Sequence, residues 1–233
     1  MPADLTIHWP YLLMAIAMLW FPRQWLRTGA RVLKKRRKPD GAMERLAGIG
    51  ARDPDDKSVQ PGREFANFRN YIDLFRALAG GYSLTQFAFT AGSDDAELTV
   101  FIIQALVLLV AVLIQSIRFD ARISFFAPIF YFVGMTIGSS GQNSDDLTST
   151  LGNGAGLFAF LLVLAINPVI PNPRMFLTAY GLLLLPFGLA FDADWRLLTL
   201  NAVLVLLPPL MSLLSKRPLV IFTKKAKTAA ASP

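Results

Sequence analysis

The sequence predicts an all-helical fold, a polytopic transmembrane bundle of about seven spans with its N-terminus outside and its C-terminus in the cytoplasm. Of the 233 residues, 54% are hydrophobic, which exceeds the usual share of about 45–50% in soluble domains. These residues fall in blocks of roughly 16–22 between short polar loops, which is typical of membrane helices. Basic and acidic residues separate onto alternate loops, as the positive-inside rule predicts.

The first predicted helix is a membrane anchor in residues 1–21. Trp9, Tyr11 and Trp20 suit the two interfaces of one span, where amphipathic rings concentrate. No basic stretch precedes this block and no small-residue cleavage site follows it. We therefore expect an uncleaved anchor and not a signal peptide.

Residues 22–69 are predicted to form a basic cytoplasmic linker, partly an amphipathic helix and partly disordered. Its densest charge run is predicted to contact anionic phospholipid head groups, at about 1 kcal/mol per residue. The same run also suits a stop signal that fixes orientation. It lacks interleaved aromatics, so it does not favour nucleic acid as a partner. The run comprises Arg31, Lys34, Lys35, Arg36, Arg37 and Lys38.

Residues 70–214 are predicted to form a six-span membrane domain, followed by a basic cytoplasmic tail at 215–233. The segment 70–91 either crosses as one helix or lies at the interface as an amphipathic helix, because a charged face opposes its apolar face. The block 123–138 is short and needs Ser139 and Ser140, or a thin bilayer, to cross. The other blocks are 98–117, 154–170, 175–191 and 197–214.

The charge distribution sets the predicted orientation. With seven crossings, every basic residue except Arg76 and Arg196 falls in a cytoplasmic segment. With six crossings, Arg118 and Arg122 would move outside, which the positive-inside rule disfavours. The compact, span-rich layout and the expected lack of a cleavable signal favour the bacterial inner membrane, with a eukaryotic organelle as the alternative. The outer loops carry acidic residues instead, namely Asp94, Asp95, Glu97, Asp145, Asp146, Asp192 and Asp194.

Asp73 and Arg76 form the ionisable pair predicted within a membrane helix. Side chains three residues apart lie side by side on a helix. Charges inside a membrane are costly and often functional. Both residues lie near the cytoplasmic end, where Arg76 can snorkel to the interface, so anchoring or packing is favoured. Contact with a partner and conduction of ions or protons are the alternatives.

Small residues predict where helices approach closely. Gly134 and Gly138 form a G-x-x-x-G motif within an apolar helix, and Gly152 and Gly156 continue the pattern at the start of the next. We expect these glycines at a helix contact, within the chain or with a partner. Gly152–Gly156 is not a dinucleotide fingerprint, because no strand precedes it and it lies in an outer loop.

Prolines within or at the ends of the apolar blocks predict kinks, and amides within the blocks predict interhelical hydrogen bonds. Asn167 and Asn201 are expected to bond to neighbouring helices, with a transporter site at the bilayer midplane as the alternative. The prolines remove helical hydrogen bonds and can kink the helices that contain them. They are Pro128, Pro168, Pro186, Pro208 and Pro209.

The residue inventory limits the chemistry. The chain has no cysteine and one histidine, His8, so we expect neither a metal site nor a cofactor. The predicted function is a non-catalytic accessory or scaffold subunit of a membrane assembly. Its partners would be the lipid bilayer, anionic head groups and other membrane subunits. A small transporter or channel is the alternative, and a lipid-active enzyme that uses the outer carboxylates is the third possibility.

Overall fold

The computed structural model describes residues 4–22, 59, 61–118, 124–140, 154–170, 172–191, 193–217 and 219–220. Most of these residues are helical, as the sequence predicts. A π-helical segment, Ser83–Phe87, continues the third helix without a break. The α-helices are α1 Trp9–Trp20, α2 Pro61–Phe65, α3 Phe68–Tyr82, α4 Asp94–Ser116, α5 Ile129–Ser139, α6 Gly154–Ile166, α7 Pro173–Ala190 and α8 Trp195–Leu214.

Short strands, which the sequence analysis did not predict, tie the helix ends together in two places. β1 (Leu5–Ile7) pairs antiparallel with β2 (Phe89–Ala91). β3 (Ile117–Arg118) pairs antiparallel with β4 (Ser124–Phe126), and β4 pairs in parallel with β5 (Leu219–Val220). We call these two places the β1–β2 end and the β3–β5 end of the bundle.

The strands also fix the directions of several helices. β1 leads into α1, and β2 joins the π-helical segment to α4, so α1 and α4 both start at the β1–β2 end. β3 follows α4, β4 precedes α5 and β5 follows α8, so those helix ends meet at the β3–β5 end. The consecutive long helical segments α1, α3, α4 and α5 therefore alternate in direction.

Polar side chains begin three of the helices. Asn67, Asn172 and Asp194 each accept a hydrogen bond from the backbone N–H two residues later, at the starts of α3, α7 and α8. Asn and Asp are favoured at this position because the first N–H groups of a helix lack a partner within it. These caps define the first residues of the three helices. The sequence alone predicted these boundaries only approximately.

α5 lies at the centre of the bundle. All of its residues except Ile137 are buried, among them Tyr131, Phe132 and Met135. Around it, α1, α3, α4, α6, α7 and α8 carry large apolar side chains on their outer surfaces. A helix that is apolar on every side requires a protein environment on every side, or lipid.

In the part of the chain that the structure describes, three helices are long and apolar enough to cross a membrane, namely α4, α7 and α8. α1, α5 and α6 are apolar but shorter. An 11-residue helix such as α5 is only about 16 Å long, roughly half of the hydrocarbon thickness. The seven crossings therefore stay a prediction.

The ambiguous segment 70–91 is largely helical. α3 and the π-helical segment together run from Phe68 to Phe87, which gives about 30 Å of continuous helix. This segment lies against α1 in the opposite direction, since Ser83 bonds to the carbonyl of Tyr11 while Gly80 lies against Leu19.

Candidate functional site

The predicted Asp73–Arg76 pair lies in a polar network near the β3–β5 end, where α1, α3, α4 and α5 meet. Arg76 Nε donates to Asp73 Oδ1 at 2.9 Å, and the Asp73 side chain is fully buried. Arg76 Nη1 donates to the backbone carbonyls of Met18, at 3.1 Å, and Phe21. Arg76 Nη2 donates to Gln115 Oε1 at 3.0 Å.

Two further side chains complete this network. Gln115 Nε2 donates to the carbonyls of Leu19, at 3.1 Å, and Phe21, at 2.9 Å. Tyr131 Oη donates to the carbonyl of Leu19 at 3.0 Å, and its ring lies 5.1 Å below the Arg76 guanidinium. We call Asp73, Arg76, Gln115 and Tyr131 the Arg76 network.

The Arg76 network binds the carbonyl end of α1. The last carbonyls of a helix lack partners within it, and they carry the negative end of the helix dipole. Arg76 supplies a positive charge and several donors at that point, and Asp73 holds the guanidinium in place. These bonds cap the end of α1 and join it to α3, and the role of the pair in anchoring or packing stays a prediction.

The G-x-x-x-G glycines lie where α5 meets α3. A Cβ atom at Gly134 would lie well within 3.0 Å of the Leu74 carbonyl oxygen, and one at Gly138 would lie equally close to that of Leu78. Both neighbours are backbone atoms, which cannot rotate away. The glycines therefore allow the two backbones to touch.

The second glycine pair is only partly described. A Cβ atom at Gly156 would lie 2.9 Å from Thr136 Oγ1 and 3.2 Å from Ile137, so Gly156 lies at the contact between α6 and α5. Gly152 and the basic run 31–38 lie outside the described residues.

Asn201 lies in a buried group of polar side chains between α5 and α8. Ser139 Oγ donates to Asn201 Oδ1 at 3.0 Å, and Asn201 Nδ2 donates to Ser140 Oγ at 3.3 Å. Nearby, the hydroxyl groups of Thr136 and Tyr180 share a hydrogen bond between α5 and α7. These bonds join neighbouring helices.

Asn167 is remote from Asn201, beyond the last residue of α6. Its Nδ2 donates to the carbonyl of Val59 at 3.1 Å, and its Oδ1 is buried without a partner in the described part of the chain. Asn167 thus fastens the segment before α2 to the bundle. The structure does not bring the two amides together.

The predicted kink prolines divide into two groups. Pro186, Pro208 and Pro209 lie within α7 and α8, where their missing N–H groups interrupt the helical hydrogen bonds. Pro128 precedes the first residue of α5, and Pro168 lies two residues after the last residue of α6. The latter two therefore lie at helix ends and not inside a helix.

A polar cleft of about 740 Å³ opens at the β1–β2 end, between the π-helical segment, β2 and the starts of α4 and α8. It combines charged, amide, hydroxyl and aromatic side chains. Its lining includes Gln86, Phe89, Glu97, Phe101, Gln104, Asp194, Trp195 and Arg196. We call it the outer cleft.

Gln104 connects the outer cleft to the π-helical segment. In this segment the N–H of Ala88 bonds to the carbonyl of Ser83, five residues back. The Gln104 side chain, on α4, donates to the neighbouring carbonyl of Leu84 at 3.3 Å and is itself buried. π-helical turns occur often at functional sites, which directs attention to this cleft.

The remaining candidate groups have simple roles in the described part of the chain. His8 bonds to the hydroxyl of Thr90 at 3.0 Å, next to the β1–β2 pairing. No three His, Asp or Glu side chains among the described residues lie close enough to hold a metal ion. Asp145 and Asp146 lie outside the described residues.

The sequence analysis did not identify Gln115, Tyr131 or Gln86 as members of a site, whereas Glu97 belongs to the outer carboxylates that it named. A glutamine near the end of an apolar helix is a weak signal that could have drawn attention to Gln115. No protein-family model, curated protein or solved structure matches the chain, so its function has to be inferred from the residues themselves.

Proposed function

We propose that the chain is a non-catalytic, multi-pass protein of the bacterial inner membrane that acts as an accessory or scaffold subunit of a membrane assembly. The observation that carries the proposal is the distribution of apolar side chains. α5 is enclosed at the centre, and the surrounding helices expose large apolar groups outward. Such an outer surface requires lipid or partner helices rather than water.

The exposed apolar groups are large and occur along whole helices. Leu106 in the middle of α4 is 56% exposed, and Leu189 and Leu214 at the ends of α7 and α8 are 80% and 83% exposed. Among the described residues, these three helices combine the length and the hydropathy of a membrane span. The exposed apolar side chains therefore lie on helices that could be surrounded by lipid.

The proposed arrangement has seven crossings with the β1–β2 end outside. Its support is the alternating direction of the helices and the position of the acidic residues, since Asp94, Asp95 and Glu97 begin α4 at the β1–β2 end. α5 is too short to cross by itself, but it is enclosed by protein. Non-helical backbone at membrane depth is tolerated where protein surrounds it.

The interior polar groups support a scaffold role. The Arg76 network bonds to the backbone of α1, and Asn201 bonds to two serines at the end of α5. Hydrogen bonds between helices restrain the positions of those helices, which suits a protein that holds partners in place. The exposed apolar surface would then be shared between lipid and partner helices.

The experiment is a pulldown of the tagged full-length protein at native expression in mild detergent, with mass spectrometry of everything retained. We expect a reproducible set of membrane partners in stoichiometric amounts. The control is a tagged inner-membrane protein of similar size at the same level. A protein that purifies alone, or with lipid only, would contradict the subunit role.

A small transporter or channel is the second candidate, and the outer cleft favours it because the cleft reaches the buried Gln104. This candidate requires aqueous access to Gln104, Asn167 and Asn201, and loss of transport in Asp73→Asn. Cysteines placed at the three amide positions should then react with water-soluble maleimides. Protection of all three would eliminate this candidate.

A further inference from the structure

The outer cleft has the composition of a binding site for a small charged molecule. Carboxylates are contributed by Glu97 on α4 and by Asp194 at the start of α8, and a guanidinium is contributed by Arg196. Both signs of charge therefore line one cavity of about 740 Å³, which is within the size range of small-molecule sites.

The charged groups of the cleft are available for a ligand. Within the described ranges, neither Glu97 nor the Arg196 guanidinium takes part in an ion pair. Asp194 Oδ1 accepts the backbone N–H of Arg196 at 2.8 Å, and a carboxylate retains further acceptor positions after one such bond. The Arg196 guanidinium lies 5.9 Å from the centre of the Trp195 ring, which leaves its donors for an anion.

The neutral part of the cleft offers amide and aromatic surface. Gln86 and Gln104 contribute amide groups, and Phe89 and Phe101 contribute rings. The hydrogen bond from Gln104 to the carbonyl of Leu84 holds the π-helical segment against α4 and so keeps the two sides of the cleft together.

The location of the cleft indicates the source of its ligand. Trp195 at the rim is 67% exposed and Trp9, at the start of α1, is 60% exposed. Tryptophan concentrates at the depth of lipid head groups. In the proposed orientation the cleft therefore opens at the outer interface.

We propose that the outer cleft binds a zwitterion in which a primary ammonium is joined to a phosphate, as in phosphoethanolamine. The ammonium binds the carboxylates of Glu97 and Asp194, and the phosphate binds the guanidinium of Arg196. Two sources carry this chemistry, the head group of phosphatidylethanolamine and free phosphoethanolamine. The lipid source rests on the proposed membrane embedding, and neither source depends on the subunit role.

The first arm of the test uses the purified full-length protein in nanodiscs of phosphatidylethanolamine and phosphatidylglycerol, with native mass spectrometry of the lipids retained. The wild-type protein should retain phosphatidylethanolamine in excess of the bulk ratio. Glu97→Gln and Arg196→Gln should each reduce this preference about fivefold, as expected for the loss of one partly exposed ion pair. The matched control, Asp95→Asn, alters an exposed carboxylate on the same helix that does not line the cleft and should leave the preference unchanged.

The second arm titrates free phosphoethanolamine into protein in phosphatidylglycerol nanodiscs, followed by calorimetry. Saturable binding that Glu97→Gln weakens would assign the soluble source, and its absence together with lipid enrichment would assign the head group. If the protein shows neither lipid enrichment nor binding of phosphoethanolamine, the proposal is overturned. It is also overturned if Asp95→Asn has the same effect as Glu97→Gln, or if the lipid preference survives both cleft substitutions in monodisperse protein. If the protein purifies without partner proteins but still prefers phosphatidylethanolamine, only the subunit role is contradicted.

Discussion

Arg76 connects three helices through one side chain. Its guanidinium reaches Asp73 on its own helix, the end of α1 and Gln115 on α4. The planar fork of arginine suits this arrangement because it directs several donors at fixed angles. Lysine could carry the same charge, but it could not bond to all of these acceptors in the same geometry.

We predict that Arg76→Gln strongly destabilises the protein. The substitution removes the cation beside the buried Asp73 and the donors to the α1 carbonyls, and breaking a buried pair costs about 3–5 kcal/mol. Thermal unfolding in detergent measures the effect. Arg69→Gln is the control, since the Arg69 side chain lies outside the Arg76 network. Equal unfolding temperatures for the two variants would contradict the capping role.

The sequence predicts part of the Arg76 network. Asp73 and Arg76 are neighbours on one helical face, so their pairing follows from their spacing. Met18 and Gln115 are 58 and 39 positions away from Arg76. No local pattern encodes these contacts, because they depend on how α1 and α4 pack against α3.

At the scale of the secondary-structure elements, the close contact between α3 and α5 depends on glycine residues. Gly134 and Gly138 face the backbone of α3, and Gly80 and Gly81 of α3 face α1 and α5 in turn. α3 is thus packed closely on two sides. The short α5 remains in contact with its neighbours because no side chains separate the backbones.

We predict that Gly134→Ala and Gly138→Ala each destabilise the protein by about 1–3 kcal/mol, the usual range for overpacking. The added methyl group would overlap a carbonyl oxygen of Leu74 or Leu78 and force the helices apart. Unfolding temperatures in detergent provide the measurement. Gly62→Ala is the control, because nothing lies within 4 Å of a Cβ atom there. If all three variants unfold at the wild-type temperature, the close contact is not essential.

Helix boundaries were predictable only approximately. The block expected at 123–138 is an extended strand, β4, followed by the helix Ile129–Ser139. Hydropathy does not distinguish the two, because a buried strand and a buried helix are equally apolar. The π-helical segment was also not predictable, since the carbonyl of Leu84 within it accepts a hydrogen bond from Gln104, which lies 20 residues later in the chain.

At the scale of the whole molecule, the described helices have an enclosed centre and an apolar exterior. Buried side chains such as Leu108 and exposed ones such as Leu106 alternate on a single helix, α4. In lipid both positions favour apolar residues, for packing in one case and for solvation in the other. A polar substitution at the exposed position therefore distinguishes the two environments, because it is unfavourable in lipid and tolerated in water.

We predict that Leu106→Asp reduces the amount of protein in the membrane fraction, because aspartate at the centre of a membrane helix costs about 2.5–3.5 kcal/mol. Leu106→Ala should be well tolerated, whereas Leu108→Ala at a fully buried position should cost about 2–5 kcal/mol. Quantitative blotting of membrane and soluble fractions gives the result. Normal membrane levels of Leu106→Asp would place this face of α4 away from lipid.

We predict that the β1–β2 end lies outside. Because the chain has no cysteine, single cysteines report their own positions without background. Asp95→Cys should react with an impermeant maleimide in intact spheroplasts, and Gly62→Cys should react only after permeabilisation. The opposite pattern would reverse the orientation, and labelling of both in intact cells would contradict an odd number of helical crossings between them.

The sequence by itself determined that the chain is helical, which blocks are apolar and which loops are basic, because these depend on composition and on local periodicity. Tertiary structure decided which helix is central, where the glycines meet backbone and which carbonyls Arg76 binds. It also formed the outer cleft from segments about a hundred residues apart, such as Glu97 and Arg196. Apolar residues look alike in sequence whether they face lipid or protein, and only the packing of the helices separates the two.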